Sequence, residues 1–463
     1  MRRYADNLKL IAKKAKQDKR HKFSWLMPVI NEDCLVQCYS KLNKKSACGV
    51  DEMTVEEYGN NLKRNIEELC GKMEKLDYWP KPVRRVWIPK AGKQEKRPLG
   101  LPTVEDKIVQ TVLKEILEAI FESEFIECSH GFRPEKSCHT AIKELNDSIM
   151  HKPVNFVVEV DIKKFFDMVD HDWMYEMLKQ KITDPKILGY VWRMLRAGVM
   201  ENGRTDETIE GTPQGGTISP ILANIYLHYA LDLWFEKEFR KATNGYVQLI
   251  RYCDDFVMLC EYKEDGERFL DQLKNRLAKF KLEISEEKTK MISFGKNAWK
   301  ASKRTGKKTK SFDFLGFTHY CKASRRGWFI VGHKTSKKRL ACKLKEMNLW
   351  LKKIRNAYPI KIWWKTLKAK VIGFFNYFGI NGNYKSLQQY YKRVLSLCFK
   401  WINRRSQKKC MNWRKFIRHI MWNPIPTPRI YHDLLYCMPK GERTFKEPYV
   451  GKSQVRFCEG FHN

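Results

Sequence analysis

Residues 251–260 read RYCDDFVMLC, and two adjacent acids interrupt an otherwise strand-like apolar run. Asp254 and Asp255 would repel one another, and burying them costs free energy unless something compensates. A bare pair of aspartates is typical of a hairpin tip that faces water. The other interpretation is a bound cation, and it requires further acidic ligands from elsewhere in the chain.

A third carboxylate follows a second apolar run. Residues 154–171 read VNFVVEVDIKKFFDMVDH, and their β-branched residues predict a strand that ends at Asp161, followed by a segment compatible with a helix. Beside a hairpin that carries Asp254 and Asp255, Asp161 would complete a cluster of three carboxylates. Their repulsion favours divalent cations, and Mg²⁺ prefers such oxygen ligands together with substrate phosphates.

This ligand set suits in-line nucleotidyl transfer with two Mg²⁺ ions, about 3.5–4 Å apart, for which Mn²⁺ is a possible substitute. Asp161 and Asp254 would bridge both ions, and the carbonyl of Ile162 would hold the ion that carries the triphosphate. Asp255 would support the geometry from nearby.

A glycine-rich stretch, GTPQGG at residues 211–216, precedes a long apolar helix that begins at Pro220. Gly211, Gly215 and Gly216 would let the backbone approach a ligand closely, and Gln214 would point at the templating base pair or the incoming nucleotide. Alone, such a turn is weak evidence for function.

Lys90 and Arg97 lie on a predicted hairpin within RVWIPKAGKQEKRPLG, residues 85–100. Their positive charges could bind triphosphate oxygens. An exposed basic turn without function is the alternative, and only the three acids favour the functional interpretation.

The composition indicates a folded chain of two or three domains, with 463 residues and 43% hydrophobic content. No run approaches the roughly 18 apolar residues of a membrane span, and no secretory signal is evident, so we expect a cytoplasmic protein, with bacterial or organellar residence left open. None of the 14 cysteines forms a C-x-x-C pair, which argues against zinc fingers and for reduced, mostly buried thiols.

Nearly all the excess charge lies between residues 296 and 430, where 35 Lys and Arg face 2 Asp and Glu. Aromatic and aliphatic residues recur there at helical spacing, for example in RLACKLKEMNLWLKKI at residues 339–354. The pattern predicts a basic helical module that binds a polyanion. Because its aromatics belong to the helical core pattern, nucleic acid is favoured over a membrane surface.

Several segments together resemble group II intron-encoded reverse transcriptases. Seven blocks follow in order: RPLGLPTVEDKIVQ (97–110), SHGFRPEKSCHTA (129–141), VVEVDIKKFFDMVDH (157–171), GTPQGGTISPILANIYL (211–227), RYCDDFVMLC (251–260), LEISEEKTK (282–290) and FDFLGF (312–317). KLNKKSACGVDEMTVEEY (41–58) resembles the family's N-terminal extension, and VIGFFNYFGI (371–380) resembles a motif of its thumb.

The resemblance implies an α+β right-hand polymerase, with fingers and an antiparallel palm sheet followed by an all-α thumb or maturase domain. Four regions are expected: an N-terminal extension and fingers (1–150), a palm (151–325) with a flexible basic loop at about 296–311, a helical thumb (326–400), and a small basic, DNA-binding-like helical appendage (401–463).

It also implies an RNA-directed DNA polymerase that takes an RNA template, a DNA or RNA primer and deoxynucleoside triphosphates. The resemblance further implies a splicing maturase that binds structured intron RNA and target DNA, either as a monomer or as a homodimer. Asp161, Asp254 and Asp255 match the positions of the family's metal-binding triad.

Other roles follow from the same resemblance. Phe166 would be the aromatic gate against a ribose 2′-hydroxyl, with Phe165 as the competing assignment. Lys90 and Arg97 would contact the triphosphate, with Lys96 as a rival. The primer grip would consist of the block Phe314, Leu315, Gly316 and Phe317.

Two departures from the family pattern stand out. Cys253 replaces the usual alanine and would be a redox-sensitive position only if its thiol were accessible. Cys437 and Cys458, with His432 and His462, are too scattered for the zinc-supported endonuclease of many relatives, so no strand cleavage of target DNA is expected. Two alternatives stay open: an RNA-binding maturase with a vestigial polymerase site, and a host-adopted enzyme in defence or repair.

Overall fold

Helices and strands are mixed through the first 335 residues of the computed structural model, and the elements described after residue 335 are helices. The structure describes residues 4–89, 96–201, 204–206, 211, 215–405 and 411–434. The strands in these ranges are β1 (Val83–Pro89), β2 (Lys96–Leu101), β3 (Phe156–Asp161), β4 (Val199–Glu201), β5 (Arg204–Asp206), β6 (Val247–Tyr252), β7 (Asp255–Cys260), β8 (Lys290–Ser293), β9 (Phe312–Phe314), β10 (Phe317–Ala323) and β11 (Phe329–Thr335).

The helices before the last sheet differ in length and in how they are capped. In chain order they are α1 (Tyr4–Gln17), α2 (Glu32–Ser40), α3 (Val55–Asn60), α4 (Leu62–Glu74), α5 (Val104–Phe121), α6 (Cys138–His151), α7 (His171–Lys179), α8 (Pro185–Leu195), α9 (Ser219–Leu227), α10 (Lys263–Lys279) and α11 (Lys296–Thr305). Side chains cap the N-termini of several of these helices. Thr54 forms a capping box with Glu57, and Thr103 and Ser137 accept hydrogen bonds from backbone amides of α5 and α6.

The first sheet has the order β2-β1-β4-β5. β1 and β2 pair antiparallel, which confirms the hairpin predicted around Lys90 and Arg97, while β4 joins β1 in parallel. Helix α5 follows β2 in the chain, is buried along most of its length and packs against α1 and α2.

The second sheet has the order β6-β7-β3-β8, and all its pairings are antiparallel. Its inner strand β3 buries Val157, Val158 and Val160 completely, as its β-branched sequence predicts. β3 ends at Asp161 and β7 begins at Asp255, so the two strands place acids at one edge of the sheet. The predicted strand end and the predicted hairpin are both confirmed.

The expected flexible loop at 296–311 is wrong for its first ten residues, which form helix α11. Two glycines bound the helix, Gly295 at φ 109° and Gly306 at φ 68°. Trp299 packs against Phe329 of β11 with ring centroids 5.9 Å apart, and Lys303 lies over the indole. The tertiary contact of one aromatic residue therefore stabilises a helix that lacks an apolar face.

The third sheet, β11-β10-β9, precedes four basic helices. These helices are α12 (Lys337–Ile354), α13 (Ile360–Phe378), α14 (Tyr384–Ile402) and α15 (Trp413–Trp422). The prediction that the helical region starts at residue 326 is wrong, because β11 pairs along its whole length with β10. Successive side chains of β11 point to opposite faces of the sheet, so Phe329, Val331 and Thr335 are buried on the same face.

Three apolar clusters hold these parts together. The largest joins the N-terminal helices to the second sheet and α9–α10, the second lies among α12–α15, and a third fills the space between the second and third sheets. The mixed helices and antiparallel sheets followed by a helical part confirm the predicted α+β class. None of the helices in the described ranges combines the length and the hydropathy needed to cross a lipid bilayer.

Candidate active site

The three predicted acids lie at one edge of the second sheet. Asp161 is the register partner of Asp255 across the β3–β7 pair, and Tyr252 is the partner of Asp255 across the β6–β7 pair. Cys253 and Asp254 therefore form the two-residue turn of the hairpin. The structure brings together side chains that are 93 residues apart in the sequence.

The electrostatics of Asp255 reflect this grouping. The pKa of its carboxyl is raised to about 7, first by the protein packed around it and then by the negative charges of Asp254, Asp161 and Glu159. Solvent still reaches the side chain, which is exposed at the start of β7. The site thus has an excess of negative charge that a cation would relieve.

Lys288 supplies one positive charge, and its ammonium group lies 2.5 Å from an Asp161 carboxylate oxygen. In the ranges that the structure describes, no three His, Cys, Asp or Glu side chains are arranged as a ready metal-ligand set. The donors themselves nevertheless fit a hard divalent cation, because they are carboxylate oxygens whose mutual repulsion already shifts the pKa of Asp255.

Ile162 is buried beside a short bridge to Ile284. The two backbone hydrogen bonds of this bridge run from Ser285 N–H to the Asp161 carbonyl and from Lys163 N–H to the Glu283 carbonyl, and both are 2.8 Å long. Neither bond uses the Ile162 carbonyl, the oxygen that was predicted to be a metal ligand. The bridge also holds the segment with Lys288 against the end of β3.

The two candidate gate residues differ in burial. The Phe165 ring is 2% exposed and packs edge-on against Tyr226 in the main core, whereas Phe166 is only half-buried. Lys164, in the left-handed conformation at φ 44°, precedes the short turn that contains both residues. Of the two rings, Phe166 is the more accessible to solvent.

The glycines of the predicted ligand loop approach the chain's own backbone. A Cβ atom on Gly211 would lie 2.9 Å from the Phe166 carbonyl oxygen, and one on Gly215 would lie 2.8 Å from the Gly100 carbonyl oxygen. The predicted close approach to a ligand stays a prediction, because the close neighbour that the structure shows at these two glycines is protein. Gly211 thereby supports the turn that carries Phe166.

The block 314–317 forms the tight turn between β9 and β10, with Leu315 at φ 50° and Gly316 at φ 82°. Phe314 and Phe317 are buried on two different apolar clusters, so their rings anchor the turn. Leu315 and Gly316 are half-buried, Leu315 packs against both clusters, and the Tyr377 hydroxyl donates to the Leu315 carbonyl at 3.0 Å.

Some predicted residues lie outside the described part of the chain. These are Lys90, Gln214, Cys437, Cys458 and His462. For Arg97 the structure describes only the backbone, which is paired with Ile88. The rival Lys96 lies opposite Pro89 at the exposed end of the same hairpin.

The Cys253 thiol is buried beside the candidate acids. Burial first, and then the charge of Asp254, raise its pKa to about 12. A thiol that stays protonated at neutral pH is a poor nucleophile. The geometry therefore argues against redox sensitivity at Cys253.

Sequence reasoning missed two charged residues here, Lys288 and Arg251. Arg251 is fully buried in β6, and a charged residue inside a buried strand needs a partner, so its position within an apolar run was a usable signal. Lys288 gave no such signal, because it stands among other charged residues in LEISEEKTK.

Residues 88–319, half of the chain, match the family model described as reverse transcriptase (RNA-dependent DNA polymerase). The chain belongs to the reverse transcriptase family. The matched residues include all three candidate acids and the block 314–317.

Individual members of the family give finer comparisons. The group II intron-encoded protein LtrA of Lactococcus lactis subsp. cremoris is 34% identical over 48% of this chain and 47% of its own length. Protein YkfC of Escherichia coli is 30% identical over 52% of this chain and 71% of its own, and a putative COX1/OXI3 intron 1 protein of Saccharomyces cerevisiae is 36% identical over 47% and 26%. The chain spans about half the length of LtrA. The resemblance to group II intron-encoded proteins is confirmed.

Proposed function

We propose that this chain is an RNA-directed DNA polymerase that extends a DNA or RNA primer on an RNA template by nucleotidyl transfer. The observation that carries the proposal is the register pairing of Asp161 with Asp255 next to the Asp254 turn. Carboxylates from two distant segments meet there at the open edge of a buried sheet. A purely structural role does not explain acids that repel one another at this edge.

Asp161 and Asp254, with the Ile162 carbonyl, would hold two Mg²⁺ ions, and Mn²⁺ would substitute for them. When bound, the ions lower the pKa of the primer hydroxyl and stabilise the leaving pyrophosphate. Asp255 contributes charge from the adjacent strand, and its raised pKa is evidence that the carboxylates share one electrostatic environment.

Substrate selection follows from the turn after β3. The half-buried Phe166 ring would pack under the sugar and leave no room for a 2′-hydroxyl. Lys90 and Arg97 would bind the triphosphate and Gln214 would contact the nascent base pair. The half-buried Leu315 and Gly316 would contact the primer end, with Phe314 and Phe317 as their anchors.

The basic helices α12–α15 support a second part of the proposal, binding of structured intron RNA as a maturase and contact with target DNA. The region 296–430 carries 35 basic and 2 acidic residues, a charge that counterion release converts into affinity for phosphates. Nuclear intron maturase 1 of Arabidopsis thaliana is a relative, 33% identical over 20% of this chain and 13% of its own length.

The domain limits of 1–150 for fingers and 401–463 for the appendage stay proposals, and the limit between palm and thumb, predicted at 325/326, is proposed instead at Thr335, the end of β11. A cytoplasmic location and either a monomer or a homodimer are likewise proposed.

Primer extension tests the polymerase directly. The wild-type chain should extend a DNA primer on an RNA template with Mg²⁺ present, and Asp254→Ala should abolish extension without changing the melting temperature by more than a few degrees. Extension that is unaffected by Asp254→Ala would defeat the site assignment. RNA binding without any extension by the wild type would instead favour a maturase with a vestigial polymerase site.

A further inference from the structure

Arg251 is a buried arginine near the end of strand β6, three residues before Asp254, and its side chain is 0% exposed. Each of its guanidinium nitrogens donates to a named partner in the interior. The bonds are Nε to Asp232 Oδ1 (2.7 Å), Nη2 to Asp232 Oδ2 (2.5 Å), Nη2 to Ser129 Oγ (2.8 Å), Nη1 to Asn224 Oδ1 (3.1 Å) and Nη1 to the Cys253 carbonyl (3.0 Å).

The bond to the Cys253 carbonyl reaches the turn that carries Asp254. Cys253 has φ 59°, a left-handed conformation that is strained for a residue with a side chain. Such a conformation persists where the surroundings hold it. The charged donor of Arg251 holds the peptide group between Cys253 and Asp254 from inside the protein.

A second contact confines the same turn. The segment 128–131 runs beside β6, with the Arg251 N–H donating to the Cys128 carbonyl and the His130 N–H donating to the Arg251 carbonyl, both 2.8 Å. A Cβ atom on Gly131 would lie 2.5 Å from the Cys253 amide nitrogen. The turn therefore has no space to relax toward this segment.

Asp232 reaches Arg251 because the chain after α9 widens into a π-helical turn, His228–Asp232. An inserted residue in such a turn rotates the following side chain relative to an α-helix, and these turns often occur near functional sites. Asp232 is fully buried and both its oxygens accept from Arg251. The position of the guanidinium is thus fixed by α9, the helix that follows the glycine-rich loop.

We propose that Arg251, held by Asp232, is a positioning residue that fixes the Cys253–Asp254 turn and so presents Asp254 to divalent metal ions. This inference rests on the proposed function, because it assigns Asp254 to metal binding. Arg251 itself is closed off from solvent and would touch neither metal nor substrate.

The competing explanation is that the pair only stabilises the fold. Removing one member of a buried ion pair leaves an unpaired charge in the interior and would unfold the protein for reasons unrelated to the turn. Replacing both members by apolar residues of similar size avoids that penalty, because such exchanges are often neutral for stability. The combination Arg251→Met with Asp232→Leu therefore removes the contact to Cys253 while leaving a packed interior.

Binding of Mn²⁺ alone to the nucleotide-free protein, followed by electron paramagnetic resonance of the free ion, is the measurement that separates the explanations. The double variant should fold, as judged by circular dichroism and melting, but its Mn²⁺ dissociation constant should rise about 10- to 100-fold, as when supporting partners of metal ligands are removed. Wild-type Mn²⁺ affinity in the folded double variant would overturn the inference.

Arg251→Lys provides a second variant that keeps the buried charge pair but loses the planar fork that reaches both Asp232 and Cys253. It should also weaken Mn²⁺ binding, and unchanged binding would count against the inference. The matched control is Arg193→Lys, because the half-buried Arg193 donates to the Leu76 and Tyr78 carbonyls, and its hydrogen bonds in the described part of the chain reach neither the turn nor the segment 128–131. That control should lose stability and keep the Mn²⁺ affinity of the wild type.

Failure of the inference and failure of the proposed function give different results. If Asp254→Ala still extends primers, the site assignment is wrong whatever Arg251 does. If Asp254→Ala abolishes extension and Mn²⁺ binding while both Arg251 variants bind Mn²⁺ normally, the site stands and only the positioning role is overturned.

Discussion

At the scale of single residues, Lys288 sits where a metal ion would bind, since its ammonium group pairs with Asp161. Replacing it by glutamine leaves Asp161 more negative, so Mn²⁺ should bind to the nucleotide-free protein about two- to fivefold more tightly. That factor corresponds to the about 0.5–1 kcal/mol of an exposed ion pair. Isothermal titration with Mn²⁺ measures it.

Lys274→Gln is the control for Lys288→Gln, because Lys274 forms a similarly exposed ion pair with Glu286 in the same part of the protein. Its Mn²⁺ affinity should equal that of the wild type. Weaker Mn²⁺ binding by Lys288→Gln would show that Lys288 assists the metal site and does not compete for Asp161.

Phe166→Ala should relax discrimination against ribonucleotides, because the ring that would pack under the sugar is removed. The ratio of kcat/KM for a deoxynucleotide to that for the matching ribonucleotide should fall by at least about tenfold, or about 1.4 kcal/mol. Phe165→Ala should instead cost about 3–5 kcal/mol of stability, since that ring is in the core. Relaxed discrimination in Phe165→Ala alone would reverse the assignment.

The residues of the site were predictable where one segment carried its own signal. Asp161 ends a β-branched run, and the Asp254–Asp255 pair interrupts another, so both were identified from the sequence. Arg251 and Lys288 were not, because their roles depend on partners far away in the chain, Ser129 for one and Asp161 for the other. Burial differs between Phe165 and Phe166 and favours Phe166 as the proposed gate, and the sequence does not specify which of two adjacent rings on a turn is buried.

At the scale of elements, the hairpin turn between β6 and β7 is confined by the segment 128–131. Gly131→Ala would push a methyl group against the Cys253 amide, 2.5 Å away, so the turn must move. We expect a stability loss of about 1–3 kcal/mol and a fall in primer extension of about 100-fold, the usual scale for a displacement near 1 Å. Melting curves and single-turnover extension measure the two effects.

Gly189→Ala is the matched control, because a Cβ atom there would meet nothing within 4 Å. This glycine lies inside α8, so alanine should stabilise the protein by about 0.5–1 kcal/mol and leave extension unchanged. Normal extension by Gly131→Ala would indicate that the turn tolerates displacement.

The hairpin of β10 and β11 buries a pair of histidines, with His333 Nδ1 3.1 Å from His319 Nδ1. Burial, and then the charge of Lys322, lower the pKa of His333 to about 4. The unfolded chain therefore binds more protons between about pH 6.5 and pH 4, and stability falls as the pH falls through that window. Between pH 7 and pH 5 the loss from His333 should be about 2 kcal/mol.

Urea unfolding at pH 7 and pH 5 checks this dependence. His333→Gln should remove most of that loss, whereas His151→Gln, at an exposed histidine, should leave it unchanged. Identical pH dependence in the wild type and in His333→Gln would contradict the account.

Elements with a clear local pattern were predicted, and elements made by tertiary contacts were not. The strand β3, the two hairpins and the long basic helices follow from apolar periodicity. Helix α11 was not predicted because it has one large apolar residue, Trp299, and the partner of that residue, Phe329, comes 30 residues later. Strand β11 was not predicted because Gly332 and His333 obscure its alternation, while its pairing with β10 determines its conformation.

At the scale of the whole molecule, charge is concentrated on the helical part that follows the sheets. We expect RNA affinity to fall steeply with salt, because phosphate neutralisation releases counterions. Replacing four exposed lysines of α12 and α13 by glutamine should reduce the slope of log K against log salt by up to about 3. The four are Lys345, Lys352, Lys361 and Lys365.

Filter binding to a structured RNA over a range of salt concentrations measures the slope. The control replaces four exposed lysines that already pair with acids in the near-neutral half of the chain, namely Lys63, Lys179, Lys263 and Lys274. An equal change of slope in both variants would show that affinity follows total charge and is not specific to the helices.

The order of parts along the chain was predictable, since the seven ordered blocks and the shift in charge at residue 296 both lie in the sequence. The contacts between parts were not. The third sheet packs on the second sheet through Phe314 and on the helices through Phe317. The predicted primer-contacting turn therefore lies between the second sheet and the helices. Phe314 and Phe317 are buried in different clusters because of the register in which β9 and β10 pair.

The most direct test of the central claim is a crystal structure with primer, RNA template, a non-hydrolysable nucleotide and Mn²⁺, read by the anomalous signal of the metal. Mn²⁺ in contact with carboxylate oxygens of both Asp161 and Asp254, with Lys288 moved away from Asp161, is the predicted result. A nucleotide bound elsewhere, or Mn²⁺ on one of the two acids while the other stays beyond ligating distance, would contradict the account.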